Sequence, residues 1–396
     1  GIIIGILAVL ALGFHLWFRA HAKDIIEDLV ESRSKGKINL KIEKLRFGYF
    51  SNKLELEKAV FFNTDSVATA TSYKFYIDKL KMKGKGLIAL LFSKELFIDS
   101  LTLINPVIEV NRVSTVDKTQ KRKEVSIPEE MGKIYSSIQD AINVLQVKKF
   151  QLENATFILA NKTEPDQKPV RISNLHLDID NLQVDSSKSR INEKMFFSDN
   201  ITLRTQDQEI IFPDGRHKLS FSRFKINLKN KLVEFDSCTI AATRTDSTAS
   251  SFNIFFDALL MTNIDFDTLL AVSDTKSSLK KNPPKLEKII QQLTGDLDLN
   301  HIVVVNADFN ILTIKDGVPN SFVFSNNNFE MEGLSINKNA EKPLKVKSFT
   351  MAIRNYENFI KDSTYSIQFD SILFRNDKLT LSRFAFNKLN DGKIVN

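Results

Sequence analysis

Cysteine occurs once in this chain of 396 residues, at Cys238. No internal disulfide and no cysteine-based metal site can therefore form, and on an apolar strand position a lone thiol reads as a small buried hydrophobe. Glycine (13) and proline (9) are scarce, which excludes collagen-like repeats and argues against a disordered, low-complexity chain. Tryptophan occurs once and tyrosine six times against 31 phenylalanines, so most of the aromatic surface has no polar handle. The five histidines are scattered at positions 15, 21, 176, 217 and 301 and never take a His-x-x-x-His spacing. Gly84-Lys85-Gly86 lacks the spacing and the Ser/Thr of a phosphate loop. No Gly-x-Ser-x-Gly elbow occurs. The basic run from Lys118 to Lys123 has no interleaved aromatic residue with which to stack nucleic-acid bases. No catalytic, metal or cofactor constellation emerges, and nucleic acid is not an expected partner. The net charge of +7 suits an acidic partner without identifying one.

What the chain does contain is a spacing. In Leu96–Val110, LFIDSLTLINPVIEV, apolar residues alternate, slip by one position and resume: Leu96, Ile98, Leu101, Leu103, then Leu101, Leu103, Pro106, Ile108. Simple alternation lines one face of a strand. A one-residue slip suggests a β-bulge, which adds a residue to one strand, bends it and raises its twist. The spacing recurs at Leu40-Ile42-Leu45-Phe47, Leu54-Leu56-Ala59-Phe61, Phe75-Ile77-Leu80-Met82, Phe150-Leu152-Ala155-Phe157 and Leu177-Ile179-Leu182-Val184. Later copies are Leu219-Phe221-Phe224-Ile226, Val233-Phe235-Cys238-Ile240, Ile254-Phe256-Leu259-Met261, Ile302-Val304-Ala307-Phe309 and Phe329-Met331-Leu334-Ile336. The last are Ile367-Phe369-Ile372-Phe374 and Leu379-Leu381-Phe384-Phe386. Such repetition indicates one structural unit used many times.

Three segments read differently. Residues 1–18, GIIIGILAVLALGFHLWF, would span about 26 Å as a helix from residue 2, close to the roughly 30 Å hydrocarbon core of a bilayer. With Ile2, Leu7 and Leu12 in its interior and Trp17 and Phe18 at its end, this run reads as a single-pass anchor. A cleaved signal peptide ending near Ala20-His21-Ala22 is the rival reading. Residues 20–34 continue as an amphipathic helix. Two further amphipathic helices are expected at Pro128–Val147 and Pro283–Leu293, and a short apolar one at Leu87–Phe92. The alternating Lys79, Lys81, Lys83 and Lys85 form a basic stripe, read either as a solvated edge strand guarded by lysine or as a contact for lipid head groups.

The repetition is also a duplication. Asn154-Ala155-Thr156-Phe157 matches Asn306-Ala307-Asp308-Phe309, and Ile201–Phe221 aligns without gaps with Phe349–Phe369. Ile77–Met82 matches Phe256–Met261, and Asn105-Pro106 stands where the Asn-Ala pairs stand. The expected divisions are a membrane anchor and amphipathic helix (1–36), a first strand unit (37–112), a linker (113–127), a second unit (128–282) and a third (283–396). The third stops early relative to its counterpart, so the expectation is that the natural chain continues past Asn396 or that this is a short member with a frayed end.

The order of a leading apolar helix, an amphipathic segment and FYIDKLKMKGKGLIALLFSKELFIDSLTLINPVIEV resembles the N-terminal region of AsmA-like proteins. That bacterial group includes TamB and is related to chorein-type lipid-transfer proteins. The resemblance rests on Ile77-Asp78-Lys79-Leu80, on residues 87–92, and on Ile98-Asp99-Ser100-Leu101-Thr102-Leu103 followed by Asn105-Pro106 and Ile108. It covers about residues 1–110; the rest agrees in its strand pattern only. It implies an inner-membrane anchor, a periplasmic body and a long, curved antiparallel sheet with a greasy trough that moves or organises phospholipid between the two envelope membranes. Members are usually much longer, so one copy at this length would not cross the periplasm unaided.

The residues lead to the same expectation independently. The fold class is mainly β: a long repeating sheet with one apolar face, a few amphipathic helices and an anchor. Two or three helices are too few to cover that face, and the remainder would form a groove for acyl chains. The expected groove residues are Leu45, Phe47, Ile77, Leu80, Met82, Ile98, Leu101, Leu103, Ile108, Leu152 and Phe157. In the later repeats they are Phe221, Phe224, Ile226, Phe235, Phe256, Val304, Phe309, Phe369, Phe374 and Phe384. The competing readings are an anchored scaffold that holds an envelope protein over a closed core, and an enzyme, for which the sequence offers no polar cluster.

Overall fold

The structure is a computed structural model. It describes residues 17, 20–32, 34, 36, 38–48, 51–63, 71–84, 95–112, 144–161, 168–185, 198–212, 214–244, 250–264, 297–315, 318–336, 344–360, 364–375, 378–390 and 393–394. The expected anchor residues Ile2, Leu7, Leu12 and Phe18 lie outside them. So do the expected helices at 87–92 and 283–293, the linker 113–127, and all of the 128–147 helix before Val144. Trp17 is helical, and no helix among the described residues is long and apolar enough to cross a membrane.

The chain is mainly β and divides into two compact units that meet in sequence between Ile201 and Thr202. The first opens with helix α1 (residues 20–32). Strands β1 (Ile38–Gly48), β2 (Lys53–Asn63), β3 (Thr71–Lys83), β4 (Glu95–Ile104), β5 (Val107–Arg112), β6 (Val144–Asn161) and β7 (Val170–Asp185) follow. β1, β2 and β3 pair antiparallel in order, β3 then pairs with both β4 and β5, and β6 pairs with β7.

Between them the expected antiparallel pattern fails. β4 and β5 run parallel to β6, from Glu95↔Val144 to Arg112↔Asn161. A hairpin would force antiparallel pairing, whereas residues 113–143 give enough chain for the crossover that a parallel pair requires. The same pairing corrects the expected helix at Pro128–Val147: Val144–Val147 belong to β6, where each meets a partner on β4. β4 and β5 are one strand interrupted at Asn105-Pro106, because proline has no N–H to give a ladder. The parallel pairing continues past the break through Asn105 N–H to the Glu153 carbonyl (2.9 Å) and Thr156 N–H to the Pro106 carbonyl (2.8 Å).

The second unit holds β8 (Asn200–Ile211, in this unit from Thr202), β9 (His217–Asn227), β10 (Leu232–Ala242), β11 (Ser251–Thr262), β12 (Leu297–Lys315) and β13 (Val318–Ile336). It continues with β14 (Leu344–Lys345), β15 (Ser348–Ile360), β16 (Tyr365–Arg375), β17 (Lys378–Ser382), β18 (Ala385–Asn390) and β19 (Lys393–Ile394). Every pairing recorded here is antiparallel.

The sequence duplication is a duplication of register. Thr202 pairs with Asn227, and their counterparts Thr350 and Arg375 pair likewise. The hairpins β6–β7 and β12–β13 share even their irregularity: Ala155 meets Leu175 where Ala307 meets Asn327, and the ladder is displaced in the same place in both. Asn174 and Asn326, at equivalent positions, both have positive φ (52° and 55°).

Outside β6–β7 and β12–β13, where the ladder is displaced, the slip in the apolar spacing has a cause other than the expected bulge. In most pairs the register runs straight through it, with no extra residue on either strand. Ile42 faces Ala59 and Lys44 faces Glu57, so Glu43 simply stands opposite Lys58. One strand of the pair places the residue before its third apolar position in the left-handed region: Lys58 (φ 52°), Asn105 (50°), Asn154 (55°), Ser237 (48°), Asn306 (50°) and Arg383 (51°). Both strands change face together there, which keeps each apolar residue opposite another. Eight of the thirteen non-glycine positive-φ residues described are asparagine, the side chain that best tolerates this region after glycine. The scarcity of glycine therefore left no gap in the fold.

Candidate functional site

Because the slips coincide, the apolar residues of successive strands form unbroken cross-strand rows. In the first unit one row runs Phe47, Leu54, Met82, Leu101, Phe150, Ile179. The next runs Leu45, Leu56, Leu80, Leu103, Leu152, Leu177, and beyond the slip a third runs Leu40, Phe61, Phe75, Ile108, Phe157, Ile172. Ile98 joins Val147 and Leu182 in a further row. α1 lies on this face through Ile26 and Val30. Its Glu27 carboxylate accepts the Ile42 N–H of β1 at 2.6 Å, covering part of the strand that ends the sheet.

The second unit repeats the scheme. One row runs Phe224, Phe235, Leu259, Val304, Phe329, Met351, Phe374, Leu379. Another runs Ile226, Val233, Met261, Ile302, Met331, Phe349. Phenylalanine rings touch along and between these rows: Phe224–Phe235 at 4.5 Å, Phe309–Phe329 at 5.3 Å, Phe329–Phe349 and Phe349–Phe374 at 6.1 Å. Such tilted and offset pairs add to what burial alone gives. The unit's first strand breaks the pattern, since Thr205 and Gln208 are buried opposite Phe224 and Phe221. Nothing in the spacing of β8 announced those two polar residues.

At five of the six left-handed positions at the slip, all but Arg383, the residue that follows is small. Ala59, Ala155 and Ala307 are 0–1 % exposed, Cys238 is 1 % exposed, and Pro106 is among the fully buried residues. Their neighbours across the ladder are large: Ile42 and Ile77 flank Ala59, and Phe256 stands opposite both Cys238 and Ala307. On the other face the kinks are tied by a polar seam. Lys58 Nζ meets Glu43 Oε1 (3.1 Å), Asn105 Nδ2 donates to Asp78 (3.1 Å) and Asn154 Nδ2 donates to Asn105 (2.9 Å). Asn306 donates to Asp257 (2.9 Å) as Asn105 does to Asp78, which gives the Ile77–Met82 and Phe256–Met261 likeness its structural meaning.

Of the expected groove residues, Ile77, Leu80, Ile98, Leu103, Phe157, Phe221, Phe256 and Phe369 are buried. Leu45, Phe47, Met82, Leu101, Ile108, Leu152, Phe224, Ile226, Phe235, Val304, Phe309 and Phe374 are half-buried, and Phe384 is exposed. The last copy of the spacing is open throughout: Leu379, Leu381, Phe384 and Phe386 are 46–59 % exposed. Lys79, Lys81 and Lys83 of the basic stripe do not lie on an edge, because β3 is flanked by β2 on one side and by β4 and β5 on the other; Lys85 lies outside the described residues. Its Lys79 pairs with Glu55 at 3.4 Å.

The polar groups of the site support structure. No group of three or more His, Cys, Asp or Glu among the described residues could hold a metal ion. His301 bridges Thr262 (3.2 Å) and Glu330 (2.9 Å) across strands. His217 bonds Asp214 through Nδ1. Burial pushes the Asp214 carboxyl up, but the N–H groups of His217 and Arg216 and the His217 ring outweigh it and hold the carboxyl below its ordinary value. Burial pushes the Cys238 thiol up to about 12 from an ordinary 9.0. The reactive form is the thiolate, so Cys238 should resist maleimide at neutral pH in the folded chain and react on addition of denaturant. Rapid labelling of the folded protein would contradict this placement. The sign for stability is also fixed. Above 9.0 the unfolded thiol ionises and the folded one does not, so this contribution is complete below 9.0 and is lost as pH rises toward about 12.

No family model matches the chain, and no curated protein matches it.

Proposed function

We propose that the chain binds acyl chains of phospholipid along its apolar strand face and serves lipid transfer or lipid homeostasis between the inner and outer membranes of an envelope. In this reading residues 1–18 anchor it in the inner membrane by a single pass. The body lies in the periplasm, the sheet curves into a groove, and an envelope protein is a further partner.

The observation that carries the proposal is the alignment of the apolar rows. Within each unit, aliphatic and phenylalanine side chains follow one another from strand to strand. Most of the candidates remain only half-buried. The one described helix, α1, touches the face of the first unit alone. Acyl chains ask for continuous apolar surface without hydrogen-bonding groups, and each methylene buried contributes about 0.8 kcal/mol.

Native mass spectrometry of gently extracted protein tests the reading. Phospholipid should remain bound, and Phe235→Asp or Met82→Asp should remove most of it. Phe384→Ser, at an exposed groove position, should leave the fold intact and still lower lipid retention, which separates loss of the groove from loss of the fold. A spectrum free of lipid, with a protein partner recovered by cross-linking instead, would replace this function with that of an anchored scaffold.

A further inference from the structure

One end of the first unit gathers basic and aromatic side chains. β1 stops there at Gly48, β2 starts at Lys53, β3 stops at Lys83 and β4 starts at Glu95. Lys53 stands directly opposite Lys83, and Lys53, Lys81 and Lys83 are all exposed. Like charges facing each other across a ladder destabilise a sheet, so this pair costs the fold something and gains it nothing. Two carboxylates near this end have other partners: Glu55, which stands opposite Lys81, pairs with Lys79 at 3.4 Å, and Asp99 pairs with Lys148 at 2.7 Å. Phe97 is 50 % exposed, and the buried Ile98 beside it faces the opposite side. Its large apolar ring therefore stands on the polar side of β4, three residues beyond Ser100, the partner of Lys83.

The helix brings Trp17 to this same end. Ser34 bonds Ile38 at the far end of β1, and Glu27 bonds Ile42 further along, so α1 runs antiparallel to β1. From Glu27 back to Trp17 the helical rise covers about 15 Å. From Ile42 to Gly48 the strand covers about 20 Å. Trp17 thus arrives near the Gly48 end of the sheet. It is 52 % exposed, and its ring stacks on His21 at 5.3 Å. Basic residues together with exposed Trp and Phe are the combination that settles at a bilayer interface: the cations meet phosphate groups and the rings sit at head-group depth.

We infer that this end of the first unit rests on a membrane surface of anionic phospholipid, with Lys53, Lys81 and Lys83 against the head groups and Phe97 and Trp17 at the interface. The inference rests on the membrane attachment proposed above and adds which end of the sheet faces the bilayer. The row Ile98, Val147, Leu182 and, behind it, the row Phe47, Leu54, Met82, Leu101, Phe150 are then the first apolar rows that an acyl chain leaving the membrane would meet.

The test uses the full chain reconstituted into vesicles, with an environment-sensitive fluorophore on Ser51→Cys at this end or on Lys74→Cys toward the other. Cys238 is buried and stays unlabelled. In vesicles containing phosphatidylglycerol, a head-group quencher should act strongly on the Ser51→Cys probe and weakly on the Lys74→Cys probe. High salt or phosphatidylcholine alone should reduce the first effect. K53Q/K81Q/K83Q in the Ser51→Cys background should lower the docked-to-undocked ratio by roughly fivefold per lysine, and K53E/K81E/K83E by more. Equal quenching at the two positions, or quenching that ignores both triple variants while circular dichroism shows them folded, would overturn the inference. Lipid retained in the mass spectrum alongside such a result would leave the acyl-chain proposal standing. Docking by a chain that retains no lipid would do the reverse.

Discussion

Ala59→Leu is expected to destabilise the first unit by about 1–3 kcal/mol. Ala59 is 0 % exposed and lies between Ile42 and Ile77, which are themselves 2 % and 1 % exposed. A leucine there needs volume that neither isoleucine can yield, since both are held in the ladder and packed on all sides. Urea unfolding followed by circular dichroism should show a lower midpoint with an unchanged slope. Leu45→Met, a near volume-conserving change at a half-buried position, should cost less than about 1.5 kcal/mol. If Ala59→Leu leaves the midpoint where it was, the face at the kink is open, and small residues there need another explanation.

The second large effect concerns the left-handed residues. Asn306→Val should cost about 2 kcal/mol, because a β-branched residue at φ 50° is a backbone outlier. The change also removes the hydrogen bond to Asp257; Asn306 is exposed, so water replaces much of that bond. Asn306→Gly loses the same bond yet keeps the conformation at no steric cost, and should cost less than about 1 kcal/mol. Asn154, at the equivalent place in the first unit, should show the same order. Equal losses for Val and Gly would assign the role of these asparagines to the hydrogen bond and not to the backbone.

Sequence and structure agree most closely where the spacing is densest. Leu40-Ile42-Leu45-Phe47 and Leu54-Leu56-Ala59-Phe61 were legible as two copies of one pattern, and the ladder places them residue against residue. The Asn154-Ala155 and Asn306-Ala307 likeness foretold a duplicated strand pair, and the structure adds that the two copies share even their irregularity. The slip is expected to be a bulge throughout, but the register is displaced at it only in β6–β7 and β12–β13. A bulge and a left-handed residue both shift alternation by one, and only the facing strand distinguishes them. The signal was nevertheless present: asparagine, lysine or serine followed by a small residue, as at Lys58-Ala59, Asn105-Pro106 and Ser237-Cys238. Val144–Val147 read as the end of a helix because Leu145 fits the helical spacing of the residues before it; pairing with Glu95–Ile98 makes it a strand.

The sequence by itself determined the strands, their apolar side and the repetition, because these follow from side-chain alternation along a single chain. Only the tertiary structure decided the parallel pairing of β4 and β5 with β6, the interior place of the lysine stripe and the burial of Thr205 and Gln208. Each of these depends on which strand lies alongside. The alternation of a strand records which of its sides is apolar and says nothing about its neighbour's identity or direction.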